Sequence, residues 1–196
     1  MERISRTEIK RQSFHIIVGT LLALLYYYGY MTPLRFVALF GLLAVAFFVY
    51  LYFRMPVIHQ LIFYMGRRKE MNYFPGLGAL FFVFGMIMSV WLFQKDIAVA
   101  SIMILAWSDG IASLVGPFGK IAYINPKKNW EGLIAAIALG AVAASFFVSF
   151  WVALTGAIVA MLIEGLDIKI KNWKVDDNVI VPVVAGVVMM MLGMLV

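Results

Sequence analysis

Three acidic residues lie in or beside long apolar segments of this chain, where carboxylates are rare: Asp109, Glu131 and Glu164. A carboxylate inside a membrane span costs at least about 2.5 to 3.5 kcal/mol, so it usually marks a functional site. Each acid lies near the end of its predicted helix that faces one common side of the membrane. Asp176 and Asp177 follow in a later loop on that side. The pattern predicts that carboxylates from several helices converge at one depth. Their hard oxygens suit Mg²⁺.

Glycines and lysines follow the first of these acids. Gly116-Pro117-Phe118-Gly119-Lys120 ends one predicted helix, and Lys127 and Lys128 precede the helix that carries Glu131. Glycine-exposed amides, lysines and a helix amino terminus can cradle a polyphosphate, although the spacing differs from that of the usual phosphate loop. A cradle beside a metal site predicts a nucleoside triphosphate. The alternative for the lysines is ordinary anchoring at the cytoplasmic membrane face.

The helical face of Asp109 carries small side chains. Ala112, Ser113 and Gly116 lie three, four and seven positions after it and share its face. The space beside the carboxylate therefore accommodates either another helix or a ligand. Helix packing accounts for the small residues but not for the acid.

Two further polar sites have simpler alternatives. Asp176 and Asp177 precede the last predicted helix, so one of them can cap it. Together with Glu164 and Asp167, the pair predicts a second metal-facing cluster. His15 lies four residues after Arg11 on one face of the first helix. It is either a satisfied interfacial histidine or a residue that contacts phosphate or handles a proton.

The composition sets the class of protein. With 64% hydrophobic residues, 13% charged residues and a mean hydropathy of +0.97, the chain is an integral membrane protein and not a soluble domain. We expect one domain, residues 1–196. The absence of cysteine excludes disulfides and thiolate metal sites. The net charge of +6 is assigned to contact with anionic membrane lipids, and no nucleic acid partner is expected.

Apolar segments of about 17 to 25 residues can cross the bilayer. Segment 131–166 is too long for one span and predicts two helices with a turn near 150–154, and segment 54–73 predicts a helix in the membrane interface. We therefore predict an all-α polytopic membrane bundle of about seven transmembrane helices and one interfacial helix. The other spans lie at about 13–30, 33–53, 74–93, 96–115 and from 178 to the end.

Charge sets the predicted orientation. Fourteen of the sixteen Lys and Arg, and nine of the ten Asp and Glu, fall in segments that an alternating path puts on one side. Because Lys and Arg are retained in the cytoplasm, the amino terminus and the site are predicted to be cytoplasmic. The first apolar segment lacks a cleavage signal and is expected to be retained. Small residues on the fifth helix serve internal packing or a homodimer: Gly132, Ala135, Ala136, Gly140 and Ala143.

The order of these pieces resembles the CTP-dependent lipid alcohol kinases: dolichol kinase, phytol and farnesol kinases, and the yeast-type diacylglycerol kinase, which are related to the phosphatidate cytidylyltransferases. The resemblance covers nearly the whole chain. Asn129 stands where that family usually has Ser or Thr. The matching pieces are Lys10-Arg11 with His15 and Gly19, SDGIASLVG at 108–116 followed by Phe118-Gly119-Lys120, KKNWEG at 127–132, EGL at 164–166 and DDNVIVP at 176–182.

The resemblance implies transfer of the γ-phosphoryl group of CTP to a membrane lipid alcohol at the cytoplasmic interface. Phosphates would contact Lys120, Lys127 and Lys128, and Glu131 would orient a lysine or bind metal. The proton acceptor would be Asp177 or Asp109, with His15 as second choice. Magnesium would be held by Asp109, Glu164, Asp176 and Asp177. The nucleotide region, 109–132, includes Gly110, Ser113, Gly116, Gly119, Asn129 and Gly132.

Two alternatives remain open at this point. A CTP:phosphatidate cytidylyltransferase-like enzyme would use a similar site but attack the α-phosphorus and release pyrophosphate. A small cation-coupled transporter would place its ionisable residues near the bilayer midplane, whereas here they cluster at one end of the helices.

Overall fold

The computed structural model describes residues 4–53, 76–123, 125, 128–166, 169–170 and 173–194. That part of the chain forms seven helices, which agrees with the predicted all-α class. Two-residue strands, β1 (Lys169–Ile170) and β2 (Trp173–Lys174), pair antiparallel before the last helix. The helices are α1 (Arg6–Tyr27), α2 (Pro33–Phe53), α3 (Leu77–Leu92), α4 (Lys95–Phe118), α5 (Trp130–Ala144), α6 (Phe150–Gly165) and α7 (Asp177–Gly193).

The first helix extends beyond its predicted apolar segment, and one predicted turn is misplaced. Helix α1 begins at Arg6, ahead of the apolar segment at about 13–30, because the Ser5 hydroxyl accepts a hydrogen bond from the Glu8 amide at 3.1 Å and caps it. The turn predicted at 150–154 is wrong: it lies before Phe150, where Ser149 precedes the helix in an extended conformation. Apolar residues 150–154 instead form the first turns of α6. The predicted interfacial helix at 54–73 lies outside the described residues.

The described helices differ in their capacity to cross a membrane. By length and hydropathy, α2 and α4 are long and apolar enough to do so. The helices α3, α5, α6 and α7 are apolar but have only 15 to 17 residues. That seven helices cross the membrane therefore stays a prediction.

Helix α4 lies at the centre of the bundle and α2 at its edge. Residues 98–106 of α4 are all buried, and α4 contacts α1, α3, α5 and α7. By contrast, α2 packs chiefly on α3, and only 17% of its most apolar 18-residue stretch is buried. Its contact with α1 includes an edge-to-face pair of Tyr26 and Phe36, whose ring centroids are 6.0 Å apart.

Small residues bring α5 against α4. The Ser108 hydroxyl donates to the Ala136 carbonyl at 3.0 Å across this contact, and Gly140 leaves room for Ser108. Most of the small α5 residues that the sequence singled out are buried, so they pack inside the bundle. Ala135 is half-buried. The buried members are Gly132, Ala136, Gly140 and Ala143.

We expect Gly140→Ala to destabilise the protein by about 1 to 3 kcal/mol, as overpacking does. A Cβ at Gly140 would lie 2.0 Å from the Ser108 hydroxyl oxygen. The measurement is thermal unfolding of the purified protein in detergent. Gly41→Ala is the matched control, because a Cβ on that α2 glycine meets nothing within 4 Å. Equal unfolding temperatures for the two variants would contradict the prediction.

Candidate functional site

Asp109 forms an acid–imidazole pair with His15. It ends a π-helical turn of α4, Leu105–Asp109, and is 9% exposed. Its Oδ2 lies 3.6 Å from Nε2 of His15 on α1, and the imidazole packs on the ring of Phe82 with centroids 4.0 Å apart. Turns of this type are frequent at functional sites. The structure thus joins two residues that the sequence pattern presented separately.

A cavity of about 240 Å³ lies beside this pair. Its polar lining comes from α1, α4 and the start of α7, whereas its apolar lining comes from α1, α2 and α3. The cavity is therefore amphipathic, lined by both ionisable and apolar side chains. The polar residues are Arg11, His15, Asp109, Asp176 and Asn178, and the apolar ones include Val18, Leu22, Leu39, Leu43, Phe82 and Val83.

Arg11 is held at this cavity by a neighbour on its own helix. Its guanidinium donates to both carboxylate oxygens of Glu8, at 3.1 and 2.5 Å. The buried Gln12 amide also donates to Glu8, at 2.9 Å. Sequence reasoning did not single out Glu8 or Gln12. The positions of Arg11 and Gln12, three and four residues after Glu8, were the available signal.

Lys128 and Glu164 form a second charged pair. The Lys128 ammonium contacts the Glu164 carboxylate and also donates to the Glu164 carbonyl at 3.0 Å. Glu164 is 6% exposed, and the charges of Asp109 and Asp177 act on it. Three predicted carboxylates are therefore electrostatic neighbours, with one lysine among them. Lys127, also predicted for phosphate contact, lies outside the described residues.

The loop between α4 and α5 is fastened by two side chains at the start of α5. The Asn129 amide donates to the carbonyls of Gly116 and Gly119, at 2.6 and 3.2 Å. The Glu131 carboxylate accepts from the backbone amides of Lys120 and Ile121, at 2.7 and 3.2 Å. Glu131 thus holds the backbone of Lys120, and the lysine itself is exposed.

The glycines predicted for nucleotide contact have close packing partners. A Cβ on Gly110 would lie 2.6 Å from Ile16, and one on Gly132 would lie 2.7 Å from Gly116 Cα. A Cβ on Gly119 would lie 2.6 Å from the Cβ of Asn129. The face of small residues after Asp109 therefore packs against α5 through the contact of Gly116 with Gly132. Ser113, on the same face, is half-buried.

The start of α7 brings a helix cap to the site. Asp176 Oδ1 accepts from the Asn178 amide nitrogen at 3.0 Å and from its side chain at 2.8 Å, so the predicted cap is Asp176. Pro182 lacks the N–H that would pair with the Asn178 carbonyl. That carbonyl packs instead on Gly85, where a Cβ would lie 2.0 Å away. Asp177 is the acid of this segment that acts on Glu164.

The predicted metal ligands do not form a ready-made cage. Among the described residues, no group of three or more His, Asp or Glu side chains lies close enough to hold a metal ion. Glu164 pairs with Lys128, and Asp176 caps α7. Mg²⁺ commonly takes one or two carboxylates and completes its shell with water and substrate phosphates. Asp109 or Asp177 alone supplies the single carboxylate that this smaller requirement needs.

The fold and the site define an all-α membrane protein with a buried acid–imidazole pair at an amphipathic cavity. The chain is 30% identical, over 95% of its length, to "CTP-dependent diacylglycerol kinase 1" of Saccharomyces cerevisiae and covers 73% of that protein. It belongs to the CTP-dependent lipid alcohol kinase family, as the sequence motifs predicted.

Other relatives extend the comparison. A protein with the same name from Eremothecium gossypii is 29% identical over 63% of this chain, which spans 46% of that protein's length. An uncharacterized protein of Methanocaldococcus jannaschii is 27% identical over 91% of each chain. No family model and no solved structure matches the chain.

Proposed function

We propose that this protein transfers the γ-phosphoryl group of CTP to the hydroxyl group of a membrane lipid alcohol. Diacylglycerol is the first substrate to test, because three curated relatives are named CTP-dependent diacylglycerol kinase 1. Polyprenol, dolichol, phytol and geranylgeraniol are the other candidates. The observation that carries the proposal is the Asp109–His15 pair at the polar part of a cavity with apolar walls.

The chemistry needs a proton acceptor beside the lipid hydroxyl. The lipid oxygen forms a bond to the γ-phosphorus, the bond from that phosphorus to the bridging oxygen breaks, and CDP leaves. The hydroxyl proton passes to a base within hydrogen-bond reach. Asp109 with its neighbour His15 is the candidate acceptor on the cavity wall. Asp177, close to the same carboxylates, is the second candidate.

Positive charge supports a triphosphate near these carboxylates. Phosphoryl transfer depends mainly on positioning and charge neutralisation. Arg11 lines the cavity, Lys128 contacts the Glu164 carboxylate, and exposed Lys120 lies on the loop that Asn129 and Glu131 hold. Mg²⁺ held by the one of Asp109 and Asp177 that does not accept the proton would neutralise phosphate charge when present.

The test is phosphorylation by purified protein in mixed micelles with a panel of lipid alcohols and labelled CTP. We expect γ-label, and not α-label, in the lipid product, and loss of product when EDTA removes magnesium. Transfer of α-label with release of pyrophosphate would favour the cytidylyltransferase alternative. Cation flux into liposomes with no lipid product would favour a transporter.

We also propose seven crossings with the site on the cytoplasmic face. The Lys and Arg residues on the side of the site support the cytoplasmic orientation. Exposed aromatic side chains at the other ends of the helices support the crossings, because such residues concentrate at membrane interfaces. They are Tyr28, Tyr30, Trp91, Phe146 and Trp151. The native chain has no cysteine. A single cysteine that replaces Gln94 or Ile121 is therefore the only thiol and reports on which side of the membrane that position lies. Labelling of Ile121→Cys from outside intact cells would refute this orientation.

A further inference from the structure

We propose that the lipid substrate enters the cavity sideways, between α1 and α2, and lays one hydrocarbon chain along this gap with its hydroxyl group beside His15. This placement rests on the proposed kinase activity and adds the tail-binding site and the entry path. The occupant is a lipid alcohol with at least one long chain.

The two helices that flank the cavity are held by different partners. Helix α1 packs on α4, whereas α2 packs chiefly on α3. Leu22 of α1 and Leu39 and Leu43 of α2 nevertheless line one cavity. The outer face of α2 is apolar and exposed, as expected for a helix surrounded by lipid. The gap between α1 and α2 therefore connects the cavity to the hydrocarbon of the bilayer.

The lining of α1 changes from polar to apolar along one helical face. Arg11, His15, Val18 and Leu22 are spaced by four, three and four residues and all line the cavity. At 1.5 Å per residue, this face extends for about 16 Å. A lipid has the same order of chemistry, with a polar head followed by a hydrocarbon chain. The charged end of the cavity therefore matches the head and the leucines match the chain.

An aromatic contact lies beyond the last lining leucine. Tyr26 follows Leu22 by one helical turn, and Phe36 precedes Leu39 by three residues on α2. Their rings meet edge to face, and Phe36 is fully buried. This contact closes the gap at its deep end. A long chain must consequently leave through the gap into the bilayer, and a second acyl chain remains outside the cavity.

An acceptor atom in the cavity wall lacks a partner. Asn178 lines the cavity, and its buried Oδ1 has no hydrogen-bond partner in the described part of the chain. Buried polar atoms in folded proteins are normally satisfied. A lipid hydroxyl can donate to this oxygen on binding, before its proton passes to the base. Asn178 would then be a positioning residue for the lipid head.

The test compares tryptophan at two adjacent positions of α2. Leu43 lines the cavity, whereas Leu42 is 68% exposed on the outer face. We expect Leu43→Trp to lower kcat/KM for long-chain diacylglycerol by about tenfold or more, because the ring occupies space needed by the chain. Short-chain diacylglycerol should be less affected, and KM for CTP unchanged. Leu42→Trp should match the native protein in every assay.

The outcomes separate the two proposals. If the native protein phosphorylates no lipid alcohol, the proposed function fails. If it phosphorylates diacylglycerol but the two tryptophan variants behave alike, the tail site is wrong. Should Leu43→Trp not fold, a diacylglycerol with a photoreactive acyl chain is cross-linked to the native protein. Labelled peptides from α1 and α2 would support the site, and labelling confined to α6 and α7 would overturn it.

Discussion

We expect Asp109→Asn to lower the proposed lipid kinase turnover by at least about a hundredfold, the lower range for loss of general acid–base catalysis. The asparagine keeps the shape of the side chain but removes the charge that faces His15 and acts on Glu164. It also removes a candidate magnesium ligand. The measurement is the initial rate of lipid phosphorylation at saturating CTP, with membrane insertion and thermal unfolding followed on the same preparation.

Asp96→Asn is the matched control for this variant. Asp96 is an exposed acid in the first turn of the same helix, at the end away from the site. We expect it to retain full activity. His15→Gln separates the two members of the pair, because a modest loss there would assign proton acceptance to Asp109. Full activity in Asp109→Asn would remove both the metal and the base assignment.

The second large effect is on stability. Lys128→Met should destabilise the protein by about 1 to 3 kcal/mol, because it leaves the buried Glu164 side chain without its ion-pair and hydrogen-bond partner. Thermal unfolding and resistance to proteolysis in detergent measure this loss. Lys95→Met is the control, since Lys95 is exposed at the opposite end and lies over the Tyr27 ring.

A double variant separates the folding role of this pair from its role in catalysis. Lys128→Met with Glu164→Leu removes both charges, so most of the lost stability should return. We expect the double variant to remain inactive, because the nucleotide site then lacks one cation and one carboxylate. Recovery of both stability and activity would assign the pair to folding alone.

Local rules predicted much of this site. The cost of acids in apolar segments identified Asp109 and Glu164, which are buried and near each other. The cap before the last helix was predicted from sequence as one of two aspartates, and the structure selects Asp176. These features depend on a residue and its nearest neighbours along the chain, so a single sequence contains them.

Features that depend on tertiary packing were not predicted. Lys128 meets Glu164 across 36 positions of sequence, and no spacing rule names that partner. The pairing of His15 with Asp109 depends on how α1 packs on α4. The cavity exists because α2 packs on α3 and leaves a gap beside α1. Hydropathy identifies α2 as a membrane span but does not specify its neighbour.

The π-helical turn gives this part of α4 one residue to spare. A turn closed by bonds five residues apart holds about one residue more than an α-helical turn of the same rotation, so deleting one position between Leu105 and Asp109 would convert the turn to regular α-helix with little rotation of the flanking parts. A deletion in the regular helix before it would instead turn the Asp109 carboxylate by about 100° away from the imidazole. Natural variants should therefore tolerate the loss of one residue within this turn better than the loss of one earlier in α4.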